Sequence, residues 1–240
     1  MVYSLTQDTP SYLCDRNDKL HAWAAVRLCQ EISEYHSNST GIGAQLMEQN
    51  LAWVIVRSYY EIHRRAAAFE KITLNTWSRG SDGLFAYRDY RVVNQQGEIL
   101  LTGTSYWTLI DFNQRRAVRL KDAMKYYEYH DEFATSRQAL SKLSMPKLND
   151  DDVVFQQVVR DSIIDHTQHV NNSEYIKLIF DALYETPFDG DKPFGLELNF
   201  NHETRPGDTL TVQLKESDGS YYAQILNAQG TSVTARIAYL

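Results

Sequence analysis

Three observations predict an α+β fold built twice over. The chain has 240 residues, enough for one large domain or two modules of about 120. The order strand, helix, run of strands occurs in residues 2–111 and recurs in residues 153–239. The strand-like runs alternate, so one sheet face per copy must be covered, and each copy supplies one amphipathic helix to cover it. A hydrophobic share of 43% with 16 Tyr and 9 Phe can fill such a core and excludes a disordered chain.

The elements follow in order. Residues 2–13 read as a strand. Residues 19–37 read as a helix, with Leu20, Trp23, Ala24, Val26, Arg27, Leu28 and Ile32 forming a stripe near period 3.6. Asp18 is the expected N-cap and Gly41 the expected stop. Strands are predicted at 51–63, 71–78, 84–94 and 98–111 from their Val, Ile, Thr, Tyr and Trp content. Ser81-Asp-Gly83 and Asn94-Gln-Gln-Gly97 are turn signals between them.

The second copy starts with a strand at 153–164. A helix at 172–184 turns Tyr175, Ile176, Ile179, Phe180 and Leu183 to one side. Asn171 is its expected cap, and Glu174, three positions on, suits a capping box. Strands follow at 194–204, 209–216, 220–227 and 231–239, punctuated by Pro206-Gly-Asp208, Asp218-Gly219 and Gln229-Gly230. The expected division is a first module at 1–136, a connector at 137–152 and a second module at 153–240. Two copies in one chain imply a pseudo-dimer with sheets side by side.

Composition narrows the function. The net charge is −7, but residues 1–126 sum to +2 and residues 127–240 to −9. An acidic second half argues against nucleic acid, whose phosphates need a basic face. No apolar run approaches the roughly 18 residues of a membrane span. The first eight residues have neither a basic flank nor an apolar core, so no signal peptide is expected. Only Cys14 and Cys29 occur, which points to a reducing cytoplasm. The motifs of dinucleotide folds, P-loops, serine-hydrolase elbows and zincins are absent, so no cofactor is expected.

The chemistry concentrates in Asp161-Ser-Ile-Ile-Asp-His-Thr-Gln-His-Val-Asn-Asn-Ser-Glu-Tyr175. If 165–169 is extended, Asp165, Thr167 and His169 share a side. A helix start follows at Asn171 or Asn172, with free N–H groups that favour negative charge. A carboxylate, an imidazole and an oxyanion-binding helix end are what acyl hydrolysis requires. His166 and His202 join His169 and Glu203 in a set of zinc-type ligands, but the spacing matches no zinc motif and no metal is expected.

Asp-x-x-x-His-Val-Asn-Asn-x-x-Tyr at 165–175 resembles the motif of hotdog-fold thioesterases. The whole chain resembles the plant and bacterial acyl-ACP thioesterases. Asn50-Leu-Ala-Trp-Val-Ile-Val-Arg57, Thr73-Leu-Asn-Thr-Trp77, Ser105-Tyr-Trp-Thr-Leu-Ile110 and Leu196-Glu-Leu-Asn-Phe-Asn-His-Glu203 match that family's strands in the right order. The resemblance implies a tandem (double) hotdog fold, two long helices each wrapped by an antiparallel sheet. It implies hydrolysis of fatty acyl-ACP to free fatty acid, and a catalytic set of Asp, Asn, His and Glu in the second module. By position these are Asp165, Thr167 in place of the Asn, His169 and Glu203. Thr keeps a hydroxyl but lacks the planar amide donor pair. Thr204 stands where some plant members carry Cys, so no thiol nucleophile is available there.

On this reading the backbone N–H groups of Val170, Asn171 or Asn172 receive the oxyanion. Asp165 or Glu203 activates water, directly or through His169. The sequence leaves open which carboxylate is the base and whether Asp165 attacks directly. In the first copy Asp15, Asn17 and Lys19 occupy the places of Asp165, Thr167 and His169, so that copy has lost the histidine and is free to shape the acyl pocket. Asp15 itself is read as a turn residue. The partner implied is acyl carrier protein bearing a phosphopantetheine-linked acyl chain. An acidic carrier needs a basic surface, and Arg115, Arg116, Arg119 and Lys121 form the densest run, with His63-Arg-Arg65 second. The sequence is compatible with monomer or homodimer. An acyl-CoA thioesterase of the same fold and a non-enzymatic acyl-binding module are the alternatives.

Overall fold

A computed structural model describes the chain from Met1 to Leu240 except residues 115, 166 and 167, and except the side chains of residues 47, 121 and 122. It divides into two compact units, Met1–Leu140 and Ser141–Leu240.

The first unit contains β1 (Tyr3–Asp8), α1 (Ala22–Ser39), α2 (Ile42–Glu48), β2 (Leu51–Ile62), β3 (Lys71–Ser81), β4 (Ala86–Asn94), β5 (Ile99–Asp111), β6 (Arg116–Val118) and α3 (Lys121–Met124). Its strands are antiparallel in the order β1-β3-β4-β5-β2. β6 joins β5 at Leu109–Asp111, beyond the point where β4 begins. α1 packs on β3 and β1 and buries Ala22, Ala24, Val26, Cys29, Ile32, Ser33 and His36. Arg27, expected in that stripe, is exposed, because the buried face runs through Val26 and Cys29.

The second unit contains β7 (Val153–Val158), α4 (Asn172–Leu183), β8 (Phe194–Phe200), β9 (Thr209–Ser217), β10 (Ser220–Asn227) and β11 (Gly230–Tyr239). Its order is β7-β9-β10-β11-β8, again antiparallel. Strand for strand this repeats the first unit. α4 lies on β9 with Tyr175, Ile176, Ile179 and Leu183 buried, as its pattern predicts. Phe180 is half-buried in an aromatic group with Phe188 and Phe194.

Several boundaries differ from expectation for identifiable reasons. β1 stops at Asp8: the Thr9 N–H still meets the Glu70 carbonyl opposite (2.9 Å), but Pro10, which has no N–H to donate, begins a short 3-10 turn. α1 starts at Ala22, not residue 19. Asp18 is not its cap: Asp18 sits at φ +56 inside a turn and donates its N–H to Asp15 (3.0 Å). Gly41 does mark the end of α1, at φ +74, but α2 follows at once and seats Ile42 and Leu46 in a cluster with Leu109, Leu120 and Met124. The β9–β10 hairpin closes through Asp218 and Gly219, both at positive φ, which a two-residue turn between twisted strands requires.

Candidate active site

The site grows out of the end of β7. The Val159 N–H turns to the Asp208 carbonyl (2.8 Å), and Gly207, at φ +89, returns its N–H to Val159 (3.0 Å). After a 3-10 turn at Asp161–Ile163 the chain closes on itself. Ile164 bridges Val170, the Asp165 N–H donates to the His169 carbonyl (2.9 Å), and the Gln168 N–H donates to the Asp165 carbonyl (3.0 Å). Gln168 takes φ +66 to permit this. The expectation of an extended 165–169 segment is therefore corrected. Asp165 and His169 are joined by a backbone hydrogen bond, not by strand alternation. Thr167 and His166 lie outside the described residues.

α4 then begins at Asn172. The Asn171 side chain caps it as expected, accepting from the Ser173 N–H (2.9 Å) and the Ser173 hydroxyl (2.6 Å). The reciprocal box is not formed by that side chain, since its backbone donor is Ser173 and the Glu174 N–H donates to the Asn171 carbonyl (2.9 Å). Two of the three expected oxyanion donors are committed to the fold. Val170 donates to the Thr204 carbonyl (3.3 Å) and Asn171 to that of Ile163 (3.1 Å). The Asn172 N–H is the one left at the helix start among the described residues.

Glu203 comes from the chain just past β8. The ladder ends there because the N–H groups of Asn201 and His202 both donate to Ser232 (2.8 and 3.4 Å). Thr204 is fully buried, its hydroxyl paired with the Ser232 hydroxyl (3.1 Å) and accepting from Asn227 Nδ2 (3.2 Å). With its carbonyl on Val170, Thr204 stitches the Glu203 segment to the helix start. Glu203 Oε2 thereby meets His169 Nε2 at 2.8 Å, and Glu203 Oε1 accepts from Arg205 Nη2 at 2.8 Å. His169 is 24% exposed and Glu203 41%, so water and a substrate can reach the pair.

Tyr175 lies beneath. Burial pushes its hydroxyl up to about 12, its hydrogen bond with Thr204 opposes this, and the charges of Asp208, Asp165 and Glu203 add to it. Asp165 and Glu203 thus act on one buried phenol, which stays protonated at neutral pH. Among the described residues no group of three or more His, Cys, Asp or Glu is arranged to hold a metal ion.

The first unit repeats this corner bond for bond. The Asp15 N–H donates to Lys19 (2.8 Å), Leu20 to Ala66 (2.8 Å) and His21 to Leu13 (3.0 Å). These match Asp165 to His169, Val170 to Thr204 and Asn171 to Ile163. Asp18 at φ +56 stands for Gln168, and Phe69 at φ +64 for Gly207. The register expected for Asp15 and Lys19 holds. It adds that Arg65 occupies the place of Glu203, and Arg65 pairs with Asp15 at 2.6 Å. The acid–imidazole pair of the second unit is replaced by a guanidinium–carboxylate pair.

Of the basic residues, Arg116 and Arg119 are exposed, and Arg115 and the Lys121 side chain lie outside the description. The second basic candidate is neutralised: Arg64 binds Glu70 and Glu98 (2.6 and 2.9 Å), and Arg65 is held by Asp15. Sequence reasoning missed Arg205, Asn227 and Ser232. Arg205 was within reach, since residues two apart in extended chain share a side. The other two come from the far strands and needed the sheet order.

A duplicated α+β chain with an acid–imidazole pair in one copy and a degenerate corner in the other has a close match among known families. The chain belongs to the acyl-ACP thioesterases: the N-terminal domain of that family matches residues 1–127 and its C-terminal domain residues 147–239. Among individual relatives, it is 27% identical over 233 residues to a chloroplastic palmitoyl-acyl carrier protein thioesterase of Gossypium hirsutum, covering 92% of this chain and 56% of that one. A chloroplastic acyl-[acyl-carrier-protein] hydrolase of Cuphea viscosissima is 25% identical over 223 residues, covering 85% and 53%. The chain thus spans little more than half the length of these two relatives. Two solved structures share the fold. An acyl-ACP thioesterase from Bacteroides thetaiotaomicron has a TM-score of 0.82 at 22% identity, covering 100% of this chain and 98% of that one. The 12:0-ACP thioesterase of Umbellularia californica has 0.84 at 23%, covering 100% and 97%.

Proposed function

We propose that the protein hydrolyses the thioester of fatty acyl-ACP, releasing the free fatty acid and the carrier's thiol. The observation that carries the reading is the His169–Glu203 contact at 2.8 Å beside the start of α4, with Arg65 and Lys19 standing in its place in the first copy. Family membership supports the substrate class, and the names of the relatives support the carrier. We read each copy as a hotdog module, its helix α1 or α4 wrapped by its sheet, with the connector at 137–152. Two free thiols, Cys14 and Cys29, support a reducing compartment such as the cytoplasm.

The thioester carbonyl sits over the α4 start, its oxygen toward the Asn172 N–H. Water adds to the carbonyl carbon and gives its proton to the carboxylate–imidazole pair. The C–S bond then breaks, and His169 returns a proton to the leaving thiolate. Asp165, one turn away, orients the water or the imidazole. The substitutions D165N, H169A and E203Q are each expected to lower kcat/KM for an acyl-ACP at least ~100-fold while leaving the Tm near wild type. Near-normal turnover in all three would sink the assignment. Running the same panel on acyl-CoA separates carrier preference from chemistry.

A further inference from the structure

The two copies share a backbone corner, so a side chain present in one and absent in the other reports on what the second copy does beyond folding. At the corner after Glu203, the Arg205 N–H donates to Asp208 Oδ2 (2.9 Å) and the Asp208 N–H returns to the Arg205 carbonyl (3.1 Å). In the first copy the Ala67 N–H donates to Glu70 Oε2 (2.8 Å) and the Glu70 N–H to the Ala67 carbonyl (3.1 Å). Ala67 is therefore the counterpart of Arg205, and the turn forms without a long side chain there. Folding does not require the guanidinium.

We propose that Arg205 is a positioning residue for Glu203. The Glu203 carboxylate, carried just past β8, can swing about three side-chain torsions, and the orientation it takes presents Oε2 to His169 Nε2. Arg205 fixes Oε1 at 2.8 Å, leaving Oε2 on the imidazole at 2.8 Å. Asn227 holds the other end, donating Nδ2 to the Glu203 carbonyl (3.2 Å) and to the Thr204 hydroxyl (3.2 Å). The carboxylate is thus held at its backbone and at one oxygen, and the second oxygen is aimed. Charge-assisted donors of this kind give geometric definition even when half-exposed, and small misplacement of a reacting group costs rate more than affinity.

The inference rests on the catalytic reading of Glu203, so R205A, R205K and E203Q are measured together on dodecanoyl-ACP and hexadecanoyl-ACP. R205A is expected to lose about tenfold in kcat with KM within twofold and an unchanged Tm. R205K should keep most of the rate, and added guanidinium should restore part of it to R205A. Wild-type kcat in R205A with E203Q inactive overturns the positioning role alone. A rise in KM without loss of kcat makes Arg205 a substrate contact and also overturns it. A loss of kcat that follows a fallen Tm and that guanidinium cannot relieve makes it structural. Wild-type turnover in E203Q removes the catalytic reading itself.

Discussion

Asp15 and Asp165 hold equivalent backbone bonds at the matching corners of the two units. Asp15 Oδ1 accepts from the N–H groups of Asn17 (2.8 Å) and Lys19 (3.1 Å), and Oδ2 accepts from Arg65 (2.6 Å). Burial pushes its carboxyl up, but Arg65 and those N–H groups outweigh burial and hold it below the usual carboxylate range. Both oxygens are spent on the fold, so D15A is expected to cost about 1–3 kcal/mol of stability by leaving the half-buried Lys19 N–H and Arg65 guanidinium without their acceptor. Its kcat should stay within twofold of wild type. Denaturant melts and turnover on D15A and D165N, side by side, check this: D165N should show the opposite pattern. If both variants lose rate equally, the first copy takes part in catalysis.

The residue types of the site were legible in the sequence, and their geometry was legible only in part. Asp165 and His169 stand out because the motif and the following helix start name them, and Glu203 because it ends the stretch 196–203 that resembles a strand of the family. That Glu203, 34 positions from His169, meets it follows from the sheet, which no local pattern encodes. The condition of an extended 165–169 segment fails at its described ends, where the Asp165 N–H bonds the His169 carbonyl, and a Gln at φ +66 gives no signal of its own. The oxyanion donors were overcounted for a related reason. Whether an N–H at a helix start is free depends on what lies opposite, and Thr204 and Ile163 lie opposite Val170 and Asn171.

At the scale of elements, the strands other than β6 and both principal helices were legible from periodicity, whereas β6, α2 and α3 were not. The seven residues of α2 follow a glycine that already served as a stop. Element α1 carries a further consequence in His36, buried near its end. The ring stacks on Tyr3 and meets Tyr127 edge-on, and its Nδ1 lies 3.0 Å from Arg88 Nη1. Burial, then the charges of Arg88 and the chain's amino end, push its pKa down to about 4. A histidine held neutral in the folded state binds fewer protons than the unfolded chain between about 4 and 6.5. Stability from this site is therefore complete above about 6.5 and is lost as pH falls toward 4. The Tm of wild type should drop more between pH 7 and pH 4.5 than that of H36Q. Parallel curves for the two proteins would show that His36 does not carry the acid sensitivity.

At the scale of the whole molecule, the charge asymmetry gains a reading. The acidic surplus belongs to the second copy, which carries the candidate carboxylates Asp165 and Glu203, while the first copy is near neutral. With Arg64 and Arg65 internally paired, the exposed cations of the first unit that remain for an acidic carrier include Arg116 on β6 and Arg119 just past it. The double variant R116E/R119E is expected to raise KM for acyl-ACP about tenfold, to flatten its salt dependence, and to leave hydrolysis of a short acyl-CoA unchanged. Equal effects on both substrates would place carrier docking elsewhere.

The matched corners bear on inheritance as well as chemistry. A symmetric dimer encodes each residue once and displays it twice, so a change that improves one half is imposed on the other. Here Lys19 and His169, Arg65 and Glu203, Ala67 and Arg205 sit at equivalent positions under separate codons. Selection can rewrite one copy while the other is left untouched. A chain built this way can change one corner without imposing the same change on the other.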